Sequence, residues 1–275
     1  GVIDHVDSED VVTFTGSAHT GKILKGLPHI TERSVPFNLE ADSLNASVLG
    51  EKAVPGTEEF DLFVKEVTRE ITVKAGQKCT AVRRIIVPEN LIEEVQDAIA
   101  KRLASTTIGD PSVEGVRMGS LATQTQVDRV RESVELLTKS QDIVFGDLDK
   151  FEVIGADKNK GAFFSPILFR NNDPFNKVDV HSIEAFGPVS TIMPYKNMEE
   201  AVELARMGKG SLVSSIVTPC DKEAREYVVN AASMHGRILV LNKDCAKEST
   251  GHGSPMPLLT HGGPGRAGGG EEMGG

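Results

Sequence analysis

Cys79 stands in Gly76-Gln77-Lys78-Cys79-Thr80, between a helical pattern and an apolar run. A cysteine nucleophile needs partial exposure and surroundings that favour the thiolate. Lys74, Lys78, Arg83 and Arg84 are the nearby charges that can supply positive potential. Taken alone, a single cysteine is more often a small buried apolar residue. Glu40 closes the run Phe37-Asn38-Leu39-Glu40, and the C-terminal ends of strands are where open α/β sheets place their sites. A carboxylate there can act as general base toward a thiol or a water. Asp42 is an alternative base, and either acid can simply cap a turn.

Two further groupings suit a phosphate-bearing ligand. In Phe14-Thr15-Gly16-Ser17-Ala18-His19-Thr20-Gly21, a glycine stands between a strand and a helix. Gly16 allows close backbone approach, the helix start offers free N–H groups, and Ser17 can cap it. The pattern is neither a Walker A loop nor GxGxxG, and a capped helix after a strand explains it equally well. In Glu184-Ala185-Phe186-Gly187-Pro188-Val189, a turn feeds a strand. The Glu184 carboxylate can accept from ribose hydroxyls, and the Phe186 ring can pack on a flat heterocycle.

Positioning these residues requires alternating strands and helices, and the apolar pattern predicts them. Strands are expected at 11–15, 34–39, 46–49, 82–87, 142–145, 163–169, 189–193, 212–217 and 237–241. Helices are expected from about Ser17 to Gly26, over Glu58 to Ala75, and at 89–104, Val127 to Leu137, 198–207 and 221–233. In Glu58 to Ala75 the apolar residues Phe60, Phe63, Val64, Val67 and Ile71 follow helical spacing, with Gly76 where a C-terminal cap belongs. The alternation argues for α/β layering around a largely parallel sheet.

With 275 residues, 39% of them hydrophobic and 25% charged, the chain can bury a sizeable core. A formal net charge of −10 disfavours nucleic-acid phosphates, so no nucleic-acid partner is expected. No apolar run reaches membrane-spanning length and no signal peptide opens the sequence. Cys79, Cys220 and Cys245 form no CxxC pair, so neither a disulfide framework nor a metal site is expected, and a cytoplasmic setting is. The start close to a buried-type strand, and the glycine-rich stretch from His261 to Gly275, read as the ends of a fragment from a longer protein. Pro264, Arg266 and Glu271 within that stretch predict an ordered loop rather than a flexible linker.

The order of Phe14-Thr15-Gly16-Ser17, Glu40, Gly76-Gln77-Lys78-Cys79 and Glu184-Ala185-Phe186-Gly187-Pro188 resembles the aldehyde dehydrogenase superfamily over nearly the whole chain. The resemblance implies an aldehyde dehydrogenase-like α/β fold. Residues 1–50 would be the remnant of a Rossmann-type cofactor domain, and 51–275 the catalytic domain. It implies Cys79 as nucleophile, Glu40 as general base, Gly16 and Ser17 at the cofactor pyrophosphate, Glu184 at the nicotinamide ribose and Phe186 beside the nicotinamide. The cofactor would be NADP, with NAD as the other choice, and the protein a homo-oligomer at full length. Leu39-Glu40-Ala41-Asp42-Ser43-Leu44-Asn45 departs from the common Glu-Leu-Gly-Gly pattern. With Ser249 to Pro255 and Gly262 to Glu272, that wording is similar to a subfamily oxidising CoA-linked semialdehydes in aerobic phenylacetate or benzoate breakdown. Lys78, Arg83 and Arg84 are the candidate contacts for the CoA phosphates. The family's oxyanion-hole Asn and adenosine-side Lys are not assignable in this sequence.

Two other readings stay open. A cysteine hydrolase would pair Cys79 with a histidine such as His181 or His252. A truncated sheet would leave the piece inactive by itself, with an exposed edge.

Overall fold

The computed structural model describes residues 1–256 and 258–273. Its main element is a seven-stranded sheet whose strands run, edge to edge, 142–145, 167–170, 189–195, 82–88, 45–49, 211–217 and 235–241. In chain order the strands are β1 (Val12–Thr15), β2 (Phe37–Glu40), β3 (Asn45–Leu49), β4 (Val82–Pro88), β5 (Asp142–Phe145), β6 (Ile167–Arg170), β7 (Val189–Tyr195), β8 (Ser211–Val217) and β9 (His235–Leu241), with short β10 (Thr260–Gly262) and β11 (Glu271–Met273). Only β5 runs antiparallel in the large sheet. Its central strands β4 and β8 are buried along their whole length. That is why neither alternates apolar and polar residues, although β4 carries Arg83 and Arg84 and β8 carries Ser211, Ser214 and Ser215.

Period-two alternation still decides which layer each strand residue joins. Ile85, Val87, Ile192 and Val217 pack with Phe63, Val67 and Ile71 of α3 (Glu58–Thr72) and Val95 and Ile99 of α4 (Ile92–Ala104). Ile86, Met193 and Ile216 face the other way, onto Ala201 and Leu204 of a helix at Met198–Arg206 and Tyr227 of one at Asp221–Ala231. A helix at Gln124–Leu137 covers the β6–β7 end through Val127, Val130 and Val134. Three of these five helices are capped by side chains suited to it: Thr57, Thr123 and Asn197 each accept from a backbone N–H of the first turn.

β1 and β2 form a separate parallel pair. The expected buried-type strand at 11–15 is half exposed in alternation, and Val11 is 67% exposed. Among the described residues β2 is its only strand partner, and only the face of Val12 and Phe14 is partly covered. β3, assigned by the 1–50 boundary to the first unit, pairs with both β4 and β8 at the centre of the large sheet. The change of sheet thus falls between Glu40 and Asn45.

The helix expected to reach Ala75 ends at Thr72. Lys74 (φ 53°), Ala75 (φ 50°) and Gly76 (φ 67°) follow in left-handed conformation, where the first two are strained. Phase alone extends the helix through them because Ala75 is buried in register with the core. The short helix Pro28–Glu32, with Pro at its first position, is not among the expected elements.

The glycine-rich stretch is ordered as far as described; Gly274 and Gly275 lie outside the described residues. β10 and β11 pair antiparallel, and Arg266 donates to the His181 and Ser182 carbonyls at 3.0 and 2.8 Å. Ala41 N–H donates to Ala267 O and Gly270 N–H to Leu39 O, each at 2.9 Å. A Cβ on Gly268 or Gly270 would run into the Leu39 carbonyl, so the glycines permit backbone-to-backbone contact against β2.

Candidate active site

The site lies where the C-terminal end of β2 meets the N-terminal edge of the large sheet. Glu40 is the last residue of β2; Cys79, Glu184 and Phe186 precede β4 and β7. The usual position beyond the C-terminal ends of strands therefore holds for Glu40 and is reversed for Cys79.

Cys79 occupies a turn closed by Ala81 N–H to Lys78 O at 3.0 Å. Such a turn needs neither central N–H, which leaves those of Cys79 and Thr80 outside its own bond. The carbonyls of Cys79 and Ala81 both accept from Asn45 Nδ2, at 2.8 and 2.9 Å. Fully buried Asn45 accepts in turn from Ser43 Oγ and Val213 N–H. An amide at the start of an apolar strand was the available signal for this anchor, and sequence reasoning assigned it no role.

Arg83 ties the Cys79 loop to the Glu184 loop. Its guanidinium donates to Gly187 O at 2.6 Å and Gly76 O at 2.7 Å, and its Nε lies 3.7 Å from Glu184 Oε1. The Phe186 ring centroid is 5.4 Å from the same guanidinium. Gln77 donates to Phe186 O at 3.3 Å, and Gly76 packs so closely on Gly187 that a Cβ would strike its carbonyl. Burial raises the Glu184 carboxyl to about 7, against the lowering pull of Arg83. The carboxylate accepts from Ser43 N–H at 3.2 Å, and Phe186 beside it is 37% exposed. An acceptor with spare lone pairs next to an accessible ring fits a nicotinamide riboside in donor chemistry.

At the other end, Gly16 and Ser17 are exposed at the entry to α1 (Ala18–Lys25). Their polar groups have internal partners: Gly16 N–H donates to Glu40 O, and Ser17 Oγ caps Thr20 N–H at 3.2 Å. Asp42, the alternative base, accepts from Ala18 N–H at 3.0 Å and so caps the same helix.

The basic cluster expected around Cys79 does not form. Lys78 Nζ is 2.7 Å from buried Glu70. Arg84 is 0% exposed and donates to the Leu44, Leu204 and Ala205 carbonyls inside the core. With Arg83 engaged as above, none of the three is free to meet a CoA phosphate. Burying a guanidinium requires that its donors be satisfied internally, which rules out the same donors as ligand contacts. Burial instead pushes the Cys79 thiol up to about 12, and the Glu40 charge adds to this.

His181 and His252, the hydrolase candidates, are buried elsewhere, against Arg84 and Ser215 Oγ, and burial drives both down to about 3. The histidine beside Cys79 is His261, with Nε2 at 4.0 Å from Sγ and 3.4 Å from Glu40 Oε2. Arg237 of β9 reaches its other nitrogen at 2.9 Å. Neither was singled out, since His261 stands some 180 residues beyond Cys79 among glycines.

Residues 2–274 match the aldehyde dehydrogenase family. The 3,4-dehydroadipyl-CoA semialdehyde dehydrogenase of Aromatoleum evansii is 43% identical over 96% of this chain and 51% of its own length. Protein MaoC of Klebsiella aerogenes is 47% identical over 58% of this chain and 46% of its own. A point mutant of the Staphylococcus aureus betaine aldehyde dehydrogenase, solved in complex with NAD+ and with a modified cysteine, superposes with a TM-score of 0.82 at 21% identity. That match covers 96% of this chain and 50% of that one. An aldehyde dehydrogenase structure from Bacillus cereus gives 0.81 at 23%, covering 96% and 49%. The chain belongs to the aldehyde dehydrogenase family, and its fold is that of the family's solved structures. It spans about half the length of the curated relatives it matches.

No helix among the described residues is long and apolar enough to cross a membrane.

Proposed function

We propose that this chain carries the catalytic half of an NADP-dependent dehydrogenase that oxidises a CoA-linked semialdehyde to its acid in aerobic phenylacetate catabolism. The observation that carries the chemistry is the meeting of Glu40 and Cys79. They come from different sheets, yet a carboxylate oxygen and Sγ lie within 4.8 Å of each other. The CoA-linked substrate rests on the name of the relative from A. evansii and, for the pathway, on the likeness to MaoC together with the Glu40 to Asn45 wording. A cytoplasmic homo-oligomer, with the residues up to Glu40 belonging to a cofactor-binding domain, completes the reading.

Cys79 attacks the aldehyde carbon, and the Cys79 N–H, outside its own turn, donates to the oxygen that becomes negative. Glu40 takes the thiol proton first and later activates water against the thioester. NADP, when bound, supplies the hydride acceptor. Glu184 would hold its ribose, Phe186 would pack beside the nicotinamide, and Gly16 and Ser17 would lie at the pyrophosphate. Arg83 keeps the Glu184 loop in register with the Cys79 loop.

The test is NADP+ and NAD+ reduction by the full-length protein with 3-oxo-5,6-dehydrosuberyl-CoA semialdehyde and with 3,4-dehydroadipyl-CoA semialdehyde. A higher kcat/KM for the first with NADP+ is expected. Preference for the second would move the enzyme to the related semialdehyde route, the one drawn from benzoyl-CoA. Turnover of neither, with thioesters hydrolysed instead, would return the cysteine hydrolase.

A further inference from the structure

Glu40, Cys79 and His261 each offer one ligand-type atom, and the three atoms lie within 4.8 Å of one another. This is the donor set of an open zinc site. A metal at His261 Nε2 would need the ring hydrogen on Nδ1, pointing at an acceptor. The structure has the opposite: Arg237 Nη1 stands 2.9 Å from Nδ1, and a guanidinium only donates. Nδ1 is therefore the acceptor and Nε2 carries the hydrogen. That hydrogen has two acceptors in reach, Glu40 Oε2 at 3.4 Å and Cys79 Sγ at 4.0 Å.

We propose that His261, locked by Arg237 as the Nε2–H tautomer, is a catalytic hydrogen-bond donor to the single negative charge that Glu40 and Cys79 share. The proposal deepens the reading of Cys79 as nucleophile and Glu40 as base. In the resting pair the carboxylate holds the charge and the His261 hydrogen. On activation the S–H bond breaks and an O–H bond forms on Glu40. The negative charge moves to sulfur, and the Nε2–H follows it. The net charge of the pair does not change, and His261 keeps its proton throughout. Arg237 is the positioning residue, held by its second donation to Gly253 O at 3.3 Å.

The surroundings show why such a donor is needed. The cations that feel the pair are Arg237 on β9 and Arg83 on β4, the latter already engaged by Glu184 and by the Gly76 and Gly187 carbonyls, while Lys78 is paired with Glu70. Burial and Glu40 both work against the thiolate, with only the Thr80 N–H and Arg237 in its favour. The hydrogen bond from His261 is also the main influence holding the Glu40 carboxyl below its usual range. The hydrogen of His261 is the one side-chain donor among the described residues shown to reach both members of the pair.

The experiment follows iodoacetamide alkylation of Cys79 against pH in the full-length protein, without aldehyde or cofactor, by mass spectrometry of the Cys79 peptide. His261→Leu is expected to slow alkylation at least about tenfold at every point from pH 7.5 to 9.5. His261→Gln, which keeps a donor, should recover most of the rate. Wild type should be alkylated equally with or without micromolar Zn²⁺, whereas Arg237→Gln, with the tautomer released, should be protected by Zn²⁺. A His261→Leu profile within twofold of wild type overturns the proposal, as does Zn²⁺ protection of wild-type Cys79. Expected profiles in a protein that oxidises no aldehyde would remove the proposed function and leave the His261 assignment standing.

Discussion

The β1–β2 pair and the seven-stranded sheet bring Glu40 and Cys79 to the same place from opposite kinds of support. β4, behind Cys79, is buried from Val82 to Pro88, with paired strands on both sides and helices on both faces. β2, which ends in Glu40, has one strand partner, and its other edge is held by the glycine-rich segment through Leu39 and Ala41. Cys79 thus sits on a rigid platform. Glu40 sits on a narrow ribbon whose position depends on contacts from residues 267–270. The rigidity of one region does not extend to the other, so Glu40–Cys79 geometry should be the fragile part of the site.

That contrast can be broken most sharply at its chemical centre. In full-length protein Cys79→Ala should lower dehydrogenase kcat/KM by roughly 10³-fold or more, without loss of thermal stability. Near-normal turnover would end its role as nucleophile. Glu40→Gln should slow the first turnover of cofactor reduction, because the thiol loses its base, and should slow steady-state turnover further still. A normal steady-state rate would take the deacylating water away from Glu40.

The next test separates the two supports. Gly270→Val would force the tail away from Leu39, and it is expected to raise amide exchange at Leu39–Ala41 while β4 keeps its protection. The cost should be about 1–3 kcal/mol of stability. Equal loosening of β4 would show that the two regions form one cooperative unit.

The smallest effect concerns Glu184. Its folded-state pKa is raised by burial to about 7 from an ordinary value of 4.5. Its contribution to stability is therefore full below about pH 4.5 and is lost as pH rises through about 7. Unfolding free energy should fall by about 1–3 kcal/mol across that window, and Glu184→Gln should flatten the slope. An unchanged pH slope in the variant would mean that Arg83 already holds the carboxylate charged.

Much of the fold could be read from local patterns. β4 announces itself by Ile85-Ile86-Val87, β8 by the pairs Leu212-Val213 and Ile216-Val217, α3 by the spacing of Phe60, Phe63, Val64, Val67 and Ile71, and the start of α1 by Ser17. Element type depends on the burial period, which is written into the residues themselves. What failed locally were ends: α3 stops before Lys74 because the chain must turn into the Cys79 loop against Gly187, a contact over 100 residues away.

Cys79 and Glu40 could be singled out because residue type, chain order and, for Cys79, the nearby Gly76 persist in one dimension. Their partners were not. Arg83 and Arg84 look alike in sequence, yet adjacent strand residues point to opposite faces. Arg83 therefore joins the site while Arg84 is locked among the Leu44, Leu204 and Ala205 carbonyls. His261 meets Cys79, with Arg237 behind it, only because β9 pairs with β8 at the edge of the sheet and β10 packs against β9. The sequence by itself determined which atoms are available for chemistry and which elements hold them. Tertiary structure alone decided which histidine meets the thiol and which charges are left to face it, because chain closure brings such distant residues together and burial selects the donors that remain free.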